Sequence, residues 1–522
     1  MRYLLAVLAV ACIALPGHAG VVCVGACTPA PVLNVGSFGG GSGELIIDGG
    51  SVVTAPDGAF IGQDTGPGES GTVTVRGGGT RLDTGGGTNS ILFVGSSGGS
   101  AGNGTLNVTD GAVVTSNAFN PAPGGFGDTR LFLGSGGNGE VNVTNGGRLI
   151  VQDPNGYGAD DGIQLGRSVG SATGSGVMNV DGAGSSVAVV GNNAFINIGG
   201  ANHNFAGTAA GRGELNVTNG ASISVDGGAG FGLISLARGG GSTGRMLVSG
   251  NSTVDITGAQ PLLTVADSFS GATGNSGSGS LVITDGGQMR LQATTPGASF
   301  AAVGFGLGSG SVAIDNGGLL DIDGRLFISR NTQANDTQTG TVRVNGSGVL
   351  AADLTTVGNG TRAGINGILA GTGTVVGNVL VQTGGLLDPG LSPGTLTIDG
   401  DLSFDGGNLL IEIAGRNAGQ FDFLDISGIA DFNTANIEFA FLNGFRPSQN
   451  DVFNFVSAQS LLGLDAANVV FSGLGSGFEF LFKGGALVTA SVPTPMALPL
   501  LVLGLFALIV RCRRRGGLSP HR

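Results

Sequence analysis

Few side chains in this sequence belong to the types that carry out acid–base or nucleophilic chemistry. The adjacent carboxylates Asp160 and Asp161 lie in the string Gly-Ala-Asp-Asp-Gly and could supply the carboxylate pair that a glycosidase needs. Neighbouring residues of a strand point to opposite faces, so the pair would meet one substrate only if the loop bends. We interpret it as a solvated turn, with a calcium or catalytic site as the alternative.

Histidine and cysteine are equally scarce. His203 is the one histidine between the two terminal segments discussed below. It lies in a glycine-bounded loop, and no serine is marked as the nucleophile of a Ser-His-Asp triad. The spacing of Cys23 and Cys27 predicts a small structural disulfide, with two free or otherwise paired thiols as the alternative. Two thiols fall short of the four ligands of a structural zinc site. We predict no catalytic residue, no metal and no cofactor.

The composition argues against several classes of function. The chain has 522 residues, a formal net charge of −13 and no Trp. Such an acidic chain is unsuited to nucleic acid, whose binding depends on neutralising phosphates. Tryptophan and tyrosine platforms are almost absent, which disfavours a carbohydrate-processing cleft or a specific lectin site. Hydrophobic residues make up 41% of the chain, which favours a folded protein over a disordered one despite 106 glycines.

A short motif recurs through the first two thirds of the chain. It consists of Gly, any residue, an aliphatic, any residue, an aliphatic, and then a polar corner that usually contains glycine. It begins at Gly43, Gly71, Gly104, Gly139, Gly176, Gly213, Gly244, Gly279, Gly310 and Gly340. Repeats that are each too small to bury a core predict a solenoid. Two or three short strands per repeat and no helical period make the predicted fold all-β, a parallel β-solenoid.

The motif also predicts the direction of its side chains. Leu215 and Val217 should point into the core, whereas Asn216 should point out and the following Asn-Gly should make a sharp corner. Asn107, Asn142, Asn179 and Asn216 share one repeat position. They could form a structural amide ladder or a periodic ligand surface. The turn aspartates Asp48, Asp110, Asp181, Asp285 and Asp315 are expected to bond local backbone.

The number of coils per repeat stays open at this stage. Stacked at about 4.8 Å, ten single-coil repeats would form a rod of about 48 Å, and two coils per repeat would double that length. A β-propeller or an array of β-sandwiches is the alternative fold. Propeller repeats are longer and usually carry aromatic or Trp-Asp signatures.

Both ends of the chain have the pattern of export signals. Residues 1–19 combine one positive charge, an apolar run and small residues before a cleavage site after Ala19, which predicts a secretory signal peptide. At the other end, Val492, Pro493, Thr494 and Pro495 precede the apolar segment 496–510. The stop-transfer arginines Arg511, Arg513, Arg514 and Arg515 follow. This layout predicts a tail anchor or a sorting signal, with the basic tail in the cytoplasm.

The three-part C-terminal segment resembles the PEP-CTERM sorting signal of Gram-negative bacteria in its V-P-x-P variant. The match departs from the common pattern at Thr494, where the family usually has Glu. The resemblance implies processing by an exosortase-like enzyme after transient anchoring in the inner membrane, and export to extracellular polysaccharide or biofilm material. Loss of both terminal segments would remove six arginines and no acidic residue, so the net charge would fall from −13 to −19.

A second resemblance covers roughly residues 365–456. The string from Pro389 to Ile398, P-G-L-S-P-G-T-L-T-I, resembles the last coils of autotransporter passenger domains. It implies a right-handed β-helix that ends in a folding cap. The membrane β-barrel of that family has no counterpart in the 66 residues after Val456. Phenylalanines from Phe404 to Phe482 suit a cap, because an open solenoid end exposes strands.

These patterns divide the chain into six segments. They are the signal peptide 1–19, an N-terminal cap 20–42, the ten-repeat solenoid 43–364, the C-terminal coils and cap 365–490, the sorting signal 491–515 and the tail 516–522. The predicted function is a non-enzymatic structural or adhesive protein of the cell surface or extracellular matrix. The alternatives are a polysaccharide-degrading β-helix enzyme and a permanently tail-anchored surface protein.

Overall fold

The structure is a computed structural model that describes most of residues 21–490. The residues outside the description are 1–20, 26, 29–30, 37–40, 64–69, 86–90, 97–101, 118–129, 153–160, 168–171, 201–209, 240, 268–276, 307, 331–338, 362–363, 476 and 491–522. Both predicted export signals, residues 1–19 and 491–515, therefore lie outside the described residues.

The first five coils follow three N-terminal strands. The strands are β1 (Val21–Gly25), β2 (Cys27–Thr28), β3 (Leu33–Val35), β4 (Gly43–Ile47), β5 (Val52–Ala55), β6 (Ala59–Ile61), β7 (Ser70–Arg76), β8 (Arg81–Gly85), β9 (Ile91–Val94), β10 (Asn103–Thr109), β11 (Val113–Asn117), β12 (Arg130–Ser135), β13 (Asn138–Thr144), β14 (Arg148–Gln152), β15 (Asp161–Arg167), β16 (Ser175–Asp181), β17 (Ser186–Val190) and β18 (Ala194–Gly200).

The next six coils contain β19 (Arg212–Thr218), β20 (Ser222–Asp226), β21 (Leu233–Arg238), β22 (Thr243–Val248), β23 (Thr253–Gly258), β24 (Leu262–Asp267), β25 (Ser278–Ile283), β26 (Gln288–Ala293), β27 (Ser299–Phe305), β28 (Ser309–Ile314), β29 (Leu319–Arg330), β30 (Thr339–Val344), β31 (Val349–Val357), β32 (Gly367–Gly371) and β33 (Thr374–Gln382).

The C-terminal part contains β34 (Gly385–Pro389), β35 (Thr395–Asp399), β36 (Leu402–Asp405), β37 (Asn408–Ile413), β38 (Phe423–Ile426), β39 (Ile429–Asp431), β40 (Asn436–Phe441), β41 (Val452–Asn454), β42 (Val456–Ser457), β43 (Ser460–Leu462), the 3-10 helix η1 (Leu464–Ala466), β44 (Asn468–Ser472), β45 (Glu479–Lys483) and β46 (Ala486–Ala490).

The strands stack coil upon coil into three faces. Face 1 is a 16-stranded sheet that begins with β1 and β4 and ends with β44. A 27-stranded sheet makes the other two faces, with β5 and its successors in face 2 and β6 and its successors in face 3. The long strands β29 and β31 run along both of these faces and join them.

The fold is therefore the predicted parallel β-solenoid, and each sequence repeat makes one coil that passes through all three faces. Apart from β1, every strand pair of face 1 is parallel, which gives a stack of fifteen parallel strands, one per coil. At about 4.8 Å per coil, the stack is about 67 Å long. The right-handed sense of the coil stays a prediction, supported by the general handedness of parallel β connections.

The leading glycine of the motif occupies the same place in every coil. Strand pairing aligns the ten motif glycines with one another and with Gly367 and Gly385. A Cβ atom on Gly71 would lie 2.0 Å from the Val35 carbonyl oxygen and 2.3 Å from the Gly62 nitrogen. Glycine is thus required here because backbones approach closely at the corner between faces 3 and 1.

The corners between faces 1 and 2 have the backbone geometry that the sequence predicts. Asn145 and Gly146 have φ angles of 49° and 78°, the two consecutive positive values of a type I′ turn. A second left-handed residue lies near the end of the face 3 strand, or directly after it, in most coils. These residues are Gly36, Gly62, Gly95, Gly134, Gly166, Gly199, Ala237, Ala266, Gly304, Ser329 and Gly358.

Alternating side chains fill the space between the faces. Leu215 and Val217 are fully buried, whereas Asn216 and Thr218 on the same strand are half-buried, which confirms the predicted directions. The inward residues form one continuous apolar cluster along the chain from Leu33 to Leu487. Full burial of each Leu or Val contributes about 1.5–3 kcal/mol, so the stack is held mainly by this column of aliphatic side chains.

Antiparallel strands lie at both ends of the solenoid. At the N-terminal end, β1 pairs antiparallel with β4, and β2 pairs antiparallel with β3. At the C-terminal end, β46 lies between β41 and β45 in a three-stranded antiparallel sheet. Phe439, Phe453 and Phe455 are fully buried beside this sheet, with 5.0 Å between the ring centroids of Phe439 and Phe455. This aromatic packing agrees with the cap that the phenylalanines predict.

Candidate binding surface

The side chains of the catalytic candidates of the sequence lie outside the part of the chain that the structure describes, so their arrangement is not tested. Asp160 and His203 lie outside the described residues. Asp161 is the first residue of β15 and pairs through its backbone with Ala194, but its side chain is outside the description. Cys23 and Cys27 lie in β1 and β2, and their side chains are likewise outside it. The predicted disulfide therefore stays a prediction.

The described part of the chain contains neither a cluster of metal-binding side chains nor a membrane-spanning helix. Within the described ranges, no group of three or more His, Cys, Asp or Glu side chains is placed to hold a metal ion. No helix in these ranges is long and apolar enough to cross a membrane. The predicted sorting residues Val492, Pro493, Thr494 and Pro495, and the arginine cluster after them, lie beyond the described residues.

The repeated asparagines of face 1 form a hydrogen-bonded ladder. The Asn142 amide donates to Asn107 Oδ1 at 3.1 Å, Asn179 donates to Asn142 at 2.9 Å, and Asn216 donates to Asn179 at 3.0 Å. At the start of the row, Asn107 donates to the Thr74 hydroxyl at 3.3 Å. These bonds confirm the structural ladder. The side chains are half-buried and still border solvent.

The turn aspartates bond to neighbouring coils, which corrects the expectation of local backbone partners. Asp181 accepts hydrogen bonds from the Thr218 hydroxyl and the Asn219 amide of the next coil, both at 2.6 Å. The same pattern links Asn145 to Asp110 at 3.3 Å. The remaining described cases are Arg76 to Asp48, Asn316 to Asp285 and Asn345 to Asp315. Side chains at a shared repeat position are only one strand spacing apart, and this proximity favours bonds between coils.

A groove on face 1 collects charged side chains that the motif analysis treated only as outward positions. It has a volume of about 430 Å³ and is lined by residues of β16, β19 and β22. One row across it contains Ser175, Arg212 and Thr243, and the next contains Val177, Glu214 and Arg245. Arg212 directly precedes the motif glycine Gly213, and Arg245 directly follows the motif glycine Gly244. This placement is the feature of the sequence from which the groove could have been predicted once the pairing of β19 with β22 is known.

Face 3 carries a row of outward positions that becomes polar along the stack. The Phe60, Phe93 and Phe132 rings stack with centroids 5.3 and 4.9 Å apart. In the next two coils, Gln164 and Asn197 take the same register position. Phenylalanine stacking therefore gives way to amide side chains within one continuous row.

The two amides of this row are unusual in their burial. Gln164 and Asn197 are each only 2% exposed, and none of their amide atoms has a hydrogen-bond partner among the residues that the structure describes. Further along face 3, the Thr264 hydroxyl donates to Ser235 at 2.9 Å. Burial raises the pKa of Asp267, against the opposing effects of Arg238 and Thr264. Face 3 thus contains a buried polar strip, whereas the polar rows of face 1 reach solvent.

A buried carboxylate holds the string that resembles autotransporter passengers. Asp422 is fully buried and accepts hydrogen bonds from the backbone N–H of Gly394 at 2.8 Å and of Glu412 at 2.7 Å. Burial raises the pKa of Asp422 to about 7, despite these two hydrogen bonds. The position of Asp422 between Phe421 and Phe423 is the feature of the sequence from which its burial could have been predicted.

Comparisons with known proteins add little to this picture. No protein-family model matches the chain, and no curated protein matches it. A solved structure of the TibC-catalysed hyper-glycosylated TibA fragment is 14% identical, with a TM-score of 0.22 over 72% of this chain and 94% of that one. The Haemophilus influenzae Hap adhesin is 11% identical, with a TM-score of 0.17 over 86% of this chain and 64% of the adhesin. Similarities at this level support no conclusion about function.

Proposed function

We propose that the protein is a non-enzymatic structural or adhesive β-solenoid of the cell surface or extracellular matrix. The observation that carries the proposal is face 1, a long parallel sheet whose outward rows include the asparagine ladder from Asn107 to Asn216 and several Thr and Ser side chains. Each row repeats at about 4.8 Å. A rod of this kind can make many weak contacts with one long partner, and linked contacts raise the overall affinity far above that of each contact.

Export is part of the proposal and rests on the two terminal sequences. The signal peptide would direct residues after Ala19 out of the cytoplasm, and the segment 491–515 would hold the chain in the inner membrane until an exosortase-like enzyme processes it. The partners we propose are extracellular polysaccharide or other matrix components. The acidic net charge of −13 is suited to a soluble extracellular chain and not to nucleic acid.

Deletion of the gene in the native host tests the proposed function. We expect a loss of extracellular matrix or of surface adhesion that a plasmid copy restores. Unchanged matrix and adhesion would contradict the proposal. The enzymatic alternative makes a different prediction: purified protein should degrade acidic glycans, and Asp160→Ala with Asp161→Ala should abolish that activity. Retention of residues 496–522 in the mature protein would favour the tail-anchored alternative.

A further inference from the structure

The groove on face 1 contains two arginines with unused hydrogen-bonding capacity. Arg212 and Arg245 are both exposed. Neither guanidinium makes an ion pair, a side-chain hydrogen bond or a ring contact with any residue that the structure describes. By contrast, Arg76 and Arg416 each pair with an aspartate of another coil. In a chain with a net charge of −13, two unpaired cations in one groove form a local site for anions.

The strand register places the two arginines close together. Arg212 precedes Gly213 on β19, and Arg245 follows Gly244 on β22. Because Gly213 pairs with Gly244, the arginines are diagonal neighbours on the same outward surface. Diagonal neighbours in a sheet are about 7–8 Å apart, within reach of long side chains. Both guanidinium groups can therefore contact one ligand in the groove.

The chemistry of the two arginines favours carboxylates. A guanidinium presents a planar fork of N–H donors that matches a carboxylate with two parallel hydrogen bonds. Coulombic attraction to a distant anion is screened within about 10 Å in salt, so the recognition must come from direct contact in the groove.

The other groups in the groove limit the kind of anion. Glu214 lies beside Arg245 on the neighbouring strand, and its negative charge disfavours a ligand with charge on every side, such as polyphosphate. Glu214 is also an acceptor for hydroxyl groups, and the Ser175 and Thr243 hydroxyls can both donate and accept. A volume of about 430 Å³ lies in the range of small-ligand sites. A ligand with sparse carboxylates and many hydroxyls fits this set.

We infer that the groove lined by Arg212, Glu214 and Arg245 binds uronate residues of an acidic polysaccharide. The arginines would bind the carboxylates, and Glu214, Ser175 and Thr243 would bind ring hydroxyls. This inference rests on the proposed function and deepens it, because it assigns the polysaccharide partner a chemical class and a place on face 1.

Calorimetric titration of the native protein with tetragalacturonate tests the inference. We expect the Arg212→Ala/Arg245→Ala variant to bind at least tenfold more weakly, and the Arg212→Lys/Arg245→Lys variant to fall between it and the wild type. The control is Arg148→Ala/Arg325→Ala, which removes two exposed arginines outside face 1 and should bind as the wild type does. Maltotetraose and polyphosphate should bind more weakly than tetragalacturonate.

Several results would overturn the inference. Equal affinity of the wild type and the Arg212→Ala/Arg245→Ala variant would exclude the groove, and equally tight binding of maltotetraose or polyphosphate would exclude uronate recognition. If the wild type does not bind tetragalacturonate but gene deletion still abolishes the matrix, the inference fails and the proposed function stands. If binding occurs and deletion leaves matrix and adhesion unchanged, the proposed function fails.

Discussion

The motif glycines offer the sharpest test of how this sequence builds a solenoid. A Cβ atom on Gly139 would lie 2.1 Å from the Val94 carbonyl oxygen and 2.3 Å from the Gly134 nitrogen. Both atoms belong to backbone, so no side chain can turn aside to make room. Relief requires adjacent coils to separate by about 1 Å or more. Overpacking of this kind typically costs 1–3 kcal/mol, and we expect Gly139→Ala to lower the free energy of unfolding by about 3 kcal/mol.

Gly78 is the matched control for this substitution. It lies in a corner between face 1 and face 2, its φ is outside the left-handed region, and a Cβ atom on it would meet no atom within 4 Å. Gly78→Ala should leave stability unchanged or raise it by about 0.4–1 kcal/mol, because alanine restricts the unfolded chain. Guanidinium unfolding followed by circular dichroism measures both variants.

Hydrogen exchange would show which strands the Gly139→Ala substitution destabilises. Coils of a solenoid contact mainly their neighbours, so Gly139→Ala should speed exchange most in β10, β13 and β16. Equal stability of Gly139→Ala and Gly78→Ala would refute the argument that the leading glycine is fixed by contact between coils.

Three further predictions concern the ladder, the buried carboxylate and the aromatic end. Asn142→Ala breaks ladder bonds on both sides and should lower the free energy of unfolding by about 1–2 kcal/mol. Asn138→Ala breaks one exposed bond and should lower it less. Equal losses of unfolding free energy in denaturant would argue against the ladder. Because burial raises the folded-state pKa of Asp422 to about 7 from 3.8, its stabilising effect is complete below pH 3.8 and is lost as the pH rises through 7. The melting temperature should therefore fall between about pH 4 and 7, and Asp422→Asn should flatten that slope. An unchanged slope in the variant would contradict the assignment. Phe455→Ala should lower the free energy of unfolding by about 3–5 kcal/mol and expose the C-terminal antiparallel sheet to protease. The same change at the half-buried Phe478 should be tolerated. Identical digestion patterns of the two variants would show that the buried phenylalanines do not stabilise the C-terminal end of the solenoid.

The repeat itself made the fold predictable. Alternation in strings such as the one containing Leu215 and Val217 fixes which side chains turn inward, and this pattern does not depend on distant partners. The Asn-Gly corners were predictable for the same reason, since positive φ is a local property. The amide ladder followed once equivalent positions were assumed to stack.

Other features depend on contacts that no local pattern reveals. The leading glycines look like turn residues in the sequence, but at Gly71 the deciding contacts come from Val35 and Gly62 of other coil segments. The turn aspartates find partners one coil away, about 30 residues along the chain. The groove could not be predicted from the motif, because Arg212 and Arg245 become neighbours only when β19 and β22 pair side by side.

The most direct test of the central claim is the intact mass and location of the native protein in its host. We expect a mature species outside the cell that lacks residues 1–19 and the segment beyond about Pro495. A species in the inner membrane that retains residues 496–522 would contradict export as a sorted matrix protein, and would make the protein a tail-anchored solenoid instead.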